Sequence, residues 1–184
     1  IIDRAPWGYP INLKFLKEIK SNIKIIILVR DIIEVLGSFI DWSNREPTSF
    51  VNQYAAKTVE EKCDMLMNKD GQIVKELIGI KHLLDHQPKE IYHVVKFNDL
   101  VKNTENTIDG VYNFLGISKF KHDFNNISQF KVNDMGYDDT IVGNGLHTLK
   151  TGAISNYKEK YDAYSIIPKN IIDKYKQCNF WEEI

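Results

Sequence analysis

An α/β fold, with a short parallel sheet flanked by helices, is what this sequence predicts. Three observations carry the prediction. Residues 24–30 (KIIILVR) form an unbroken β-branched run, the pattern of a strand buried on both faces of a parallel sheet. Residues 91–97 (IYHVVKF) form a second such run. Each is followed by apolar residues at helical spacing, and strands alternating with helices build parallel sheets with helices on both faces.

The elements follow in chain order. Residues 3–10 (DRAPWGYP) read as a loop, with two prolines and a glycine around Trp7. Residues 11–20 place Ile11, Leu13, Phe15, Leu16 and Ile19 closer to a helical than to an alternating pattern, and Ser21 and Asn22 break it. After the first strand, Asp31 is an N-cap for a helix running to Trp42, with Ile32, Val35, Leu36 and Phe39 on one stripe. Residues 50–84 read as two or three helical pieces jointed at Asp70 and Gly71, and Gln87 and Pro88 stop them. After the second strand, residues 103–115 form an amphipathic helix closed by Gly116. Residues 118–152 are loop-rich. The tail from 161 to 181 holds one helix after Pro168, placed at the first helical position.

Composition bounds the rest. At 184 residues the chain is one domain, 1–184. With 43% hydrophobic and 27% charged residues it is ordinary globular material. A net charge of −1 gives no bulk attraction to nucleic acid or to an anionic membrane surface. The apolar run near residues 25–29 is far short of the roughly 20 residues a membrane span needs. Two cysteines, Cys63 and Cys178, are too few for a disulfide scaffold, so a reducing, cytoplasmic setting is expected. The first residue is isoleucine and leads directly into strand-like sequence, so a piece of a longer or processed chain is expected. Lysines outnumber arginines 21 to three, and the three are Arg4, Arg30 and Arg45. Where a lysine-biased chain keeps arginine, planar two-pronged anion recognition is a reasonable function.

Ligands of open parallel sheets bind beyond the carboxyl ends of the strands. That rule points to residues 3–7, to Arg30 and Asp31, and to residues 97–99. Arg30 ends the most hydrophobic strand, and Ser38 lies two helical turns beyond Asp31 on nearly the same face. A guanidinium and a hydroxyl make a sensible phosphate cradle. The plain structural explanation is that Arg30 pairs with a surface carboxylate and Ser38 is a small residue at a helix contact.

Residues 24–38 (KIIILVRDIIEVLGS) resemble the 3′-phosphate-binding segment of sulfotransferases that use 3′-phosphoadenosine 5′-phosphosulfate, with an apolar strand, an Arg, and a Ser eight positions later. The VRD form is nearer the bacterial, tyrosylprotein and carbohydrate-type branches. Residues 2–7 (IDRAPW) are similar to the D-K-x-P-[WF] stretch of those branches, residues 95–100 (VKFNDL) to their Y-E-D-L, and residues 113–117 (NFLGI) to the FLG closing the next helix. The resemblance implies a P-loop-NTPase-like sulfotransferase fold, of which 1–184 would be the C-terminal two-thirds. It implies transfer of a sulfonate from that nucleotide to a hydroxyl or amine of a small-molecule, carbohydrate or peptide acceptor, with no metal.

Position by position, the resemblance implies that Arg30 and Ser38 hold the 3′-phosphate and that Phe97 stacks near the adenine. Arg4 stands where those branches have a Lys near the transferred sulfonate. Residues 149–157 (LKTGAISNY) weakly resemble the R-K-G-x-x-G-x-W stretch that closes over the nucleotide, with Lys150 and Gly152 as the matching positions. The departures are a Gly- and Ser/Thr-rich phosphosulfate loop with no counterpart here, and a general base the family motif does not identify. His147, in the glycine-rich GNGLHTLK stretch, is the residue proposed for it.

His82 and His86 are spaced i, i+4 without a third ligand nearby, which suits a solvated helix face better than a metal site. Asp134, Asp138 and Asp139 do not meet the calcium-loop pattern. Two alternatives stand beside the enzyme: a non-catalytic nucleotide-binding or interaction domain of the same fold, and a P-loop kinase-like protein. The second lacks any G-x-x-x-x-G-K-[ST] in this sequence.

Overall fold

The computed structural model describes residues 6–129, 131–132, 134–136, 151–154 and 162–183. Strands β1 (Ile25–Val29) and β2 (Tyr92–Lys96) pair in parallel, in register from Ile25 opposite Tyr92 to Val29 opposite Lys96. Parallel neighbours need a long crossover. Here it carries α2 (Ile32–Arg45), α3 (Phe50–Gln53), α4 (Val59–Leu66) and α5 (Gln72–His86). Helix α1 (Pro10–Ile19) precedes β1, and α6 (Phe97–Lys102) and α7 (Thr104–Leu115) follow β2. A two-residue antiparallel pair, β3 (Lys131–Val132) with β4 (Met135–Gly136), stands apart. The tail holds α8 (Ala163–Ile166), α9 (Lys169–Tyr175) and the 3₁₀ turns Lys176–Cys178 and Phe180–Glu183. The α/β class and the parallel pairing agree with the expectation. Among the described residues no helix is long and apolar enough to cross a membrane.

Local chemistry explains the elements. Asp31 caps α2 as expected: its Oδ1 accepts from the amides of Ile33 and Glu34. The helix then buries Ile32, Ile33, Leu36 and Ile40 and runs one turn past Trp42. Thr58 and Glu61 close a capping box on α4. The crossover joint falls at Gly71, and α7 ends at Gly116, whose φ of 68° is the left-handed conformation glycine permits. The loop before α1 lies hard against α5: a Cβ on Gly8 would stand 2.4 Å from the Gly79 carbonyl oxygen.

The two faces of the sheet differ. Ile27, Val29 and Tyr92 turn into the main core with Ile33, Leu36, Leu66, Leu83 and Trp181. On the other face α7 packs on β2, its Phe114 stacked on His93 and its Gly110 facing the same imidazole. The expectation that β1 is buried on both faces is corrected: Ile26 and Leu28 are 44% and 57% exposed. Hydrophobicity makes burial favourable, but coverage depends on which element lies above, and α7 packs on that face against β2, through Phe114 on His93.

The tail also departs from the expectation. There are two helices, not one, because α8 precedes Pro168. Pro168 is the N-cap of α9 rather than its first helical residue: its ψ of 144° is extended, and its carbonyl accepts from Ile171 and Ile172. Trp181 is 2% exposed and anchors the tail in the core. Asp64 on α4 accepts from Lys174 (2.9 Å) and from the Tyr175 hydroxyl (2.7 Å). These bonds hold its carboxyl below the usual range. Cys63 is buried, and burial pushes its thiol up to about 12, so it stays protonated and inert.

Candidate functional site

A cleft of about 480 Å³ opens beyond the carboxyl ends of β1 and β2, the place where such sheets bind ligands. Its floor is the two strand tips, and its third wall is the tail, through Tyr164, Trp181 and Glu182. At the β1 tip, Arg30 donates from Nε to Glu34 Oε2 at 3.0 Å. Its guanidinium carbon lies 4.7 Å from the centre of the Phe97 ring, at the start of α6 on the β2 tip. Lys96, the last residue of β2, donates to Glu182 Oε2 at 3.0 Å.

Behind Arg30 the turn is closed by a polar network. Asp31 Oδ2 accepts from Asn179 Nδ2 at 2.6 Å and from the Tyr164 hydroxyl at 3.2 Å. Asn179 Oδ1 accepts from the Ile32 amide at 2.9 Å. Burial first, and the Asp31 carboxylate second, raise the Tyr164 phenol above its ordinary value.

The charges in the cleft are mixed. Asp31, Glu34, Asp99 and Glu182 supply four carboxylates against the cations Arg30 and Lys96. An anion entering at Arg30 therefore competes with Glu34. The Arg30–Glu34 pair is an i, i+4 contact at the cleft wall, its side chains 18% and 25% exposed, and a doubly charged phosphate offers the guanidinium more charge than this single carboxylate does.

The fold brings Arg30 and Phe97 together, as ring under guanidinium. Ser38 sits half-buried on α2 and does not line the cleft. Gly152 pairs with Ile127 through two backbone bonds of 2.8 and 2.9 Å, at a φ of 96°, and is likewise absent from the cleft wall. Arg4, His147 and Lys150 lie outside the described residues, as do Asp138 and Asp139. His82 and His86 stack on α5 with ring centres 4.9 Å apart. Among the described residues no group of three or more His, Cys, Asp or Glu is arranged to hold a metal ion. Sequence reasoning missed Lys96, Tyr164, Asn179 and Glu182. Only Lys96 carried a signal, its place at the end of the second β-branched run.

A family model described as sulfotransferase domain matches residues 11–145, well over half of the chain, from α1 through both strand tips. A comparison with curated proteins finds no match.

Proposed function

The chain belongs to the sulfotransferase domain family, and on that premise we propose that it transfers a sulfonate from 3′-phosphoadenosine 5′-phosphosulfate to a hydroxyl or amine of a small-molecule, carbohydrate or peptide acceptor. The observation that carries the reading is the Arg30 guanidinium at the β1 tip, in an open cleft and stacked on Phe97. A forked cation beside an aromatic ring fits a ribose phosphate next to a base. We read residues 1–184 as one sulfotransferase-like domain. The free thiols Cys63 and Cys178 support a reducing, cytoplasmic setting.

In this reading Arg30 exchanges Glu34 for the 3′-phosphate, and Phe97 lies alongside the adenine. By resemblance Lys150 adds a further nucleotide contact, while Ser38 and Gly152, which do not line this cleft, are given none. The nucleotide, when bound, supplies an activated sulfonate. The protein's part is to align the acceptor, neutralise charge on the departing phosphate and accept a proton. Arg4 is assigned the charge-stabilising role and His147 the base. No metal enters the scheme.

The test is calorimetry with adenosine 3′,5′-bisphosphate and adenosine 5′-monophosphate. The protein should prefer the bisphosphate by about tenfold or more, as one charge-assisted contact implies, and Arg30→Ala should erase the preference. An Arg30→Ala protein with unchanged preference would reject the assignment. The carboxylate excess in the cleft favours a second reading, a non-catalytic domain of the same fold. That reading requires weak binding of both nucleotides and no sulfonate transfer in the full chain.

A further inference from the structure

The first amides of α2 are all taken. Ile32 donates to Asn179 Oδ1, Ile33 and Glu34 donate to Asp31 Oδ1, and Val35 donates to the Asp31 carbonyl. A helix N-terminus with free amides is a ready anion site. This one is filled by side chains, so recognition of an anion at the β1 tip falls to Arg30, and its placement matters.

Contacts on the two residues that follow Arg30 set that placement. Asn179 Nδ2 holds Asp31 Oδ2 at 2.6 Å and Asn179 Oδ1 holds the Ile32 amide at 2.9 Å, so the turn from which Arg30 projects stays fixed when Glu34 Oε2, 3.0 Å from Arg30 Nε, gives way to a phosphate. The chemistry at position 179 is specific. Asn179 must donate to a carboxylate and accept from an amide at the same time, which a side-chain carboxamide does with one planar group. A carboxylate there would face Asp31 with like charge, and an aliphatic side chain would leave Asp31 Oδ2 and the Ile32 amide each one partner short. The neighbouring residues extend the brace: Trp181 is buried between the strand tips' cleft and the core, and Glu182 reaches Lys96 at the β2 tip.

We propose that Asn179 is a positioning residue for the anion site, setting the α2 first turn and through it the Arg30 guanidinium that selects the 3′-phosphate. The inference rests on the reading of Arg30 given above. It assigns a role to a tail residue that lies outside the segment matched by the family model.

The experiment measures the ratio of affinities for adenosine 3′,5′-bisphosphate and adenosine 5′-monophosphate in the full chain, Asn179→Ala, Asn179→Ser and Arg30→Ala. Asn179→Ala should cut the preference three- to tenfold while leaving monophosphate affinity within twofold. Amide hydrogen exchange should accelerate at Ile32. If both nucleotides weaken equally, Asn179 only supports the fold and the proposal falls. If Arg30→Ala erases the preference and Asn179→Ala leaves it intact, the proposal falls while the reading of Arg30 stands. An unaltered protein that shows no preference overturns that reading, and the proposal with it. Should Asn179→Ala fail to fold, Asn179→Ser decides by the same ratio, since its shorter hydroxyl cannot reach both partners.

Discussion

The two strand tips face one cleft but are built in different ways. At the β1 tip the backbone is closed: every early amide of α2 has an acceptor, and Asp31 is held from the tail by Asn179 and Tyr164. At the β2 tip the strand runs into α6 without a side-chain cap, and an amine, a ring, a carboxamide and a carboxylate reach the cleft from Lys96, Phe97, Asn98 and Asp99. The difference teaches a division of labour. The locked tip fixes where the Arg30 charge stands, and the open tip offers a surface that can adjust to what lies against it.

Breaking the locked tip should have the largest effect. Asp31→Ala removes the cap from Ile33 and Glu34 and deprives Asn179 and Tyr164 of their shared acceptor. Loss of an N-cap together with a stranded donor should cost about 2 kcal/mol, read as a lower urea midpoint with unchanged slope. A cost near zero would mean that the network is decorative and that the two tips are equivalent.

Much of this was legible where the interactions are local. The Asp31 cap, the α2 stripe and the Gly116 stop each depend on residues within a few positions of one another, so pattern and composition reveal them. The parallel pairing of β1 with β2 was legible from two β-branched runs separated by helical sequence. The brace was not legible, because Asn179 meets Asp31 across 148 positions and nothing near residue 179 marks it. The spacing from Arg30 to Ser38 does not put both on the wall of this cleft, and the reason is physical. Helical periodicity holds only within the helix, and Asp31, with ψ of 130°, lies outside it, so the direction of Arg30 does not follow from that of Ser38. The exposed Ile26 and Leu28 show the same limit for strands, since hydrophobicity states a preference for burial and not what is available to provide it.

A pH experiment sharpens the comparison at intermediate size. The Tyr164 phenol is raised above its ordinary value of 10.0 by burial and then by the Asp31 carboxylate, so the folded state favours the protonated form. For a group raised on folding, the stabilisation is complete below the ordinary value and is lost as pH rises through the folded one. Melting temperature should therefore fall above about pH 10, and Tyr164→Phe should flatten part of that decline while changing little at pH 7. An identical alkaline profile in both proteins would remove Tyr164 from the lock.

The smallest effect belongs to the open tip. Lys96 and Glu182 meet at 3.0 Å, but their side chains are 34% and 59% exposed, so water and salt screen the attraction and ordering two long side chains offsets much of it. Lys96→Met keeps the aliphatic stem that packs along the strand tip and removes the charge. The cost by urea denaturation should stay below about 0.5 kcal/mol and shrink further in high salt. A loss above about 1 kcal/mol would show that Glu182 pins the β2 tip as firmly as Asn179 pins the β1 tip. In that case the tail would clamp both sides of the cleft, and the adjustable surface would be confined to Phe97, Asn98 and Asp99.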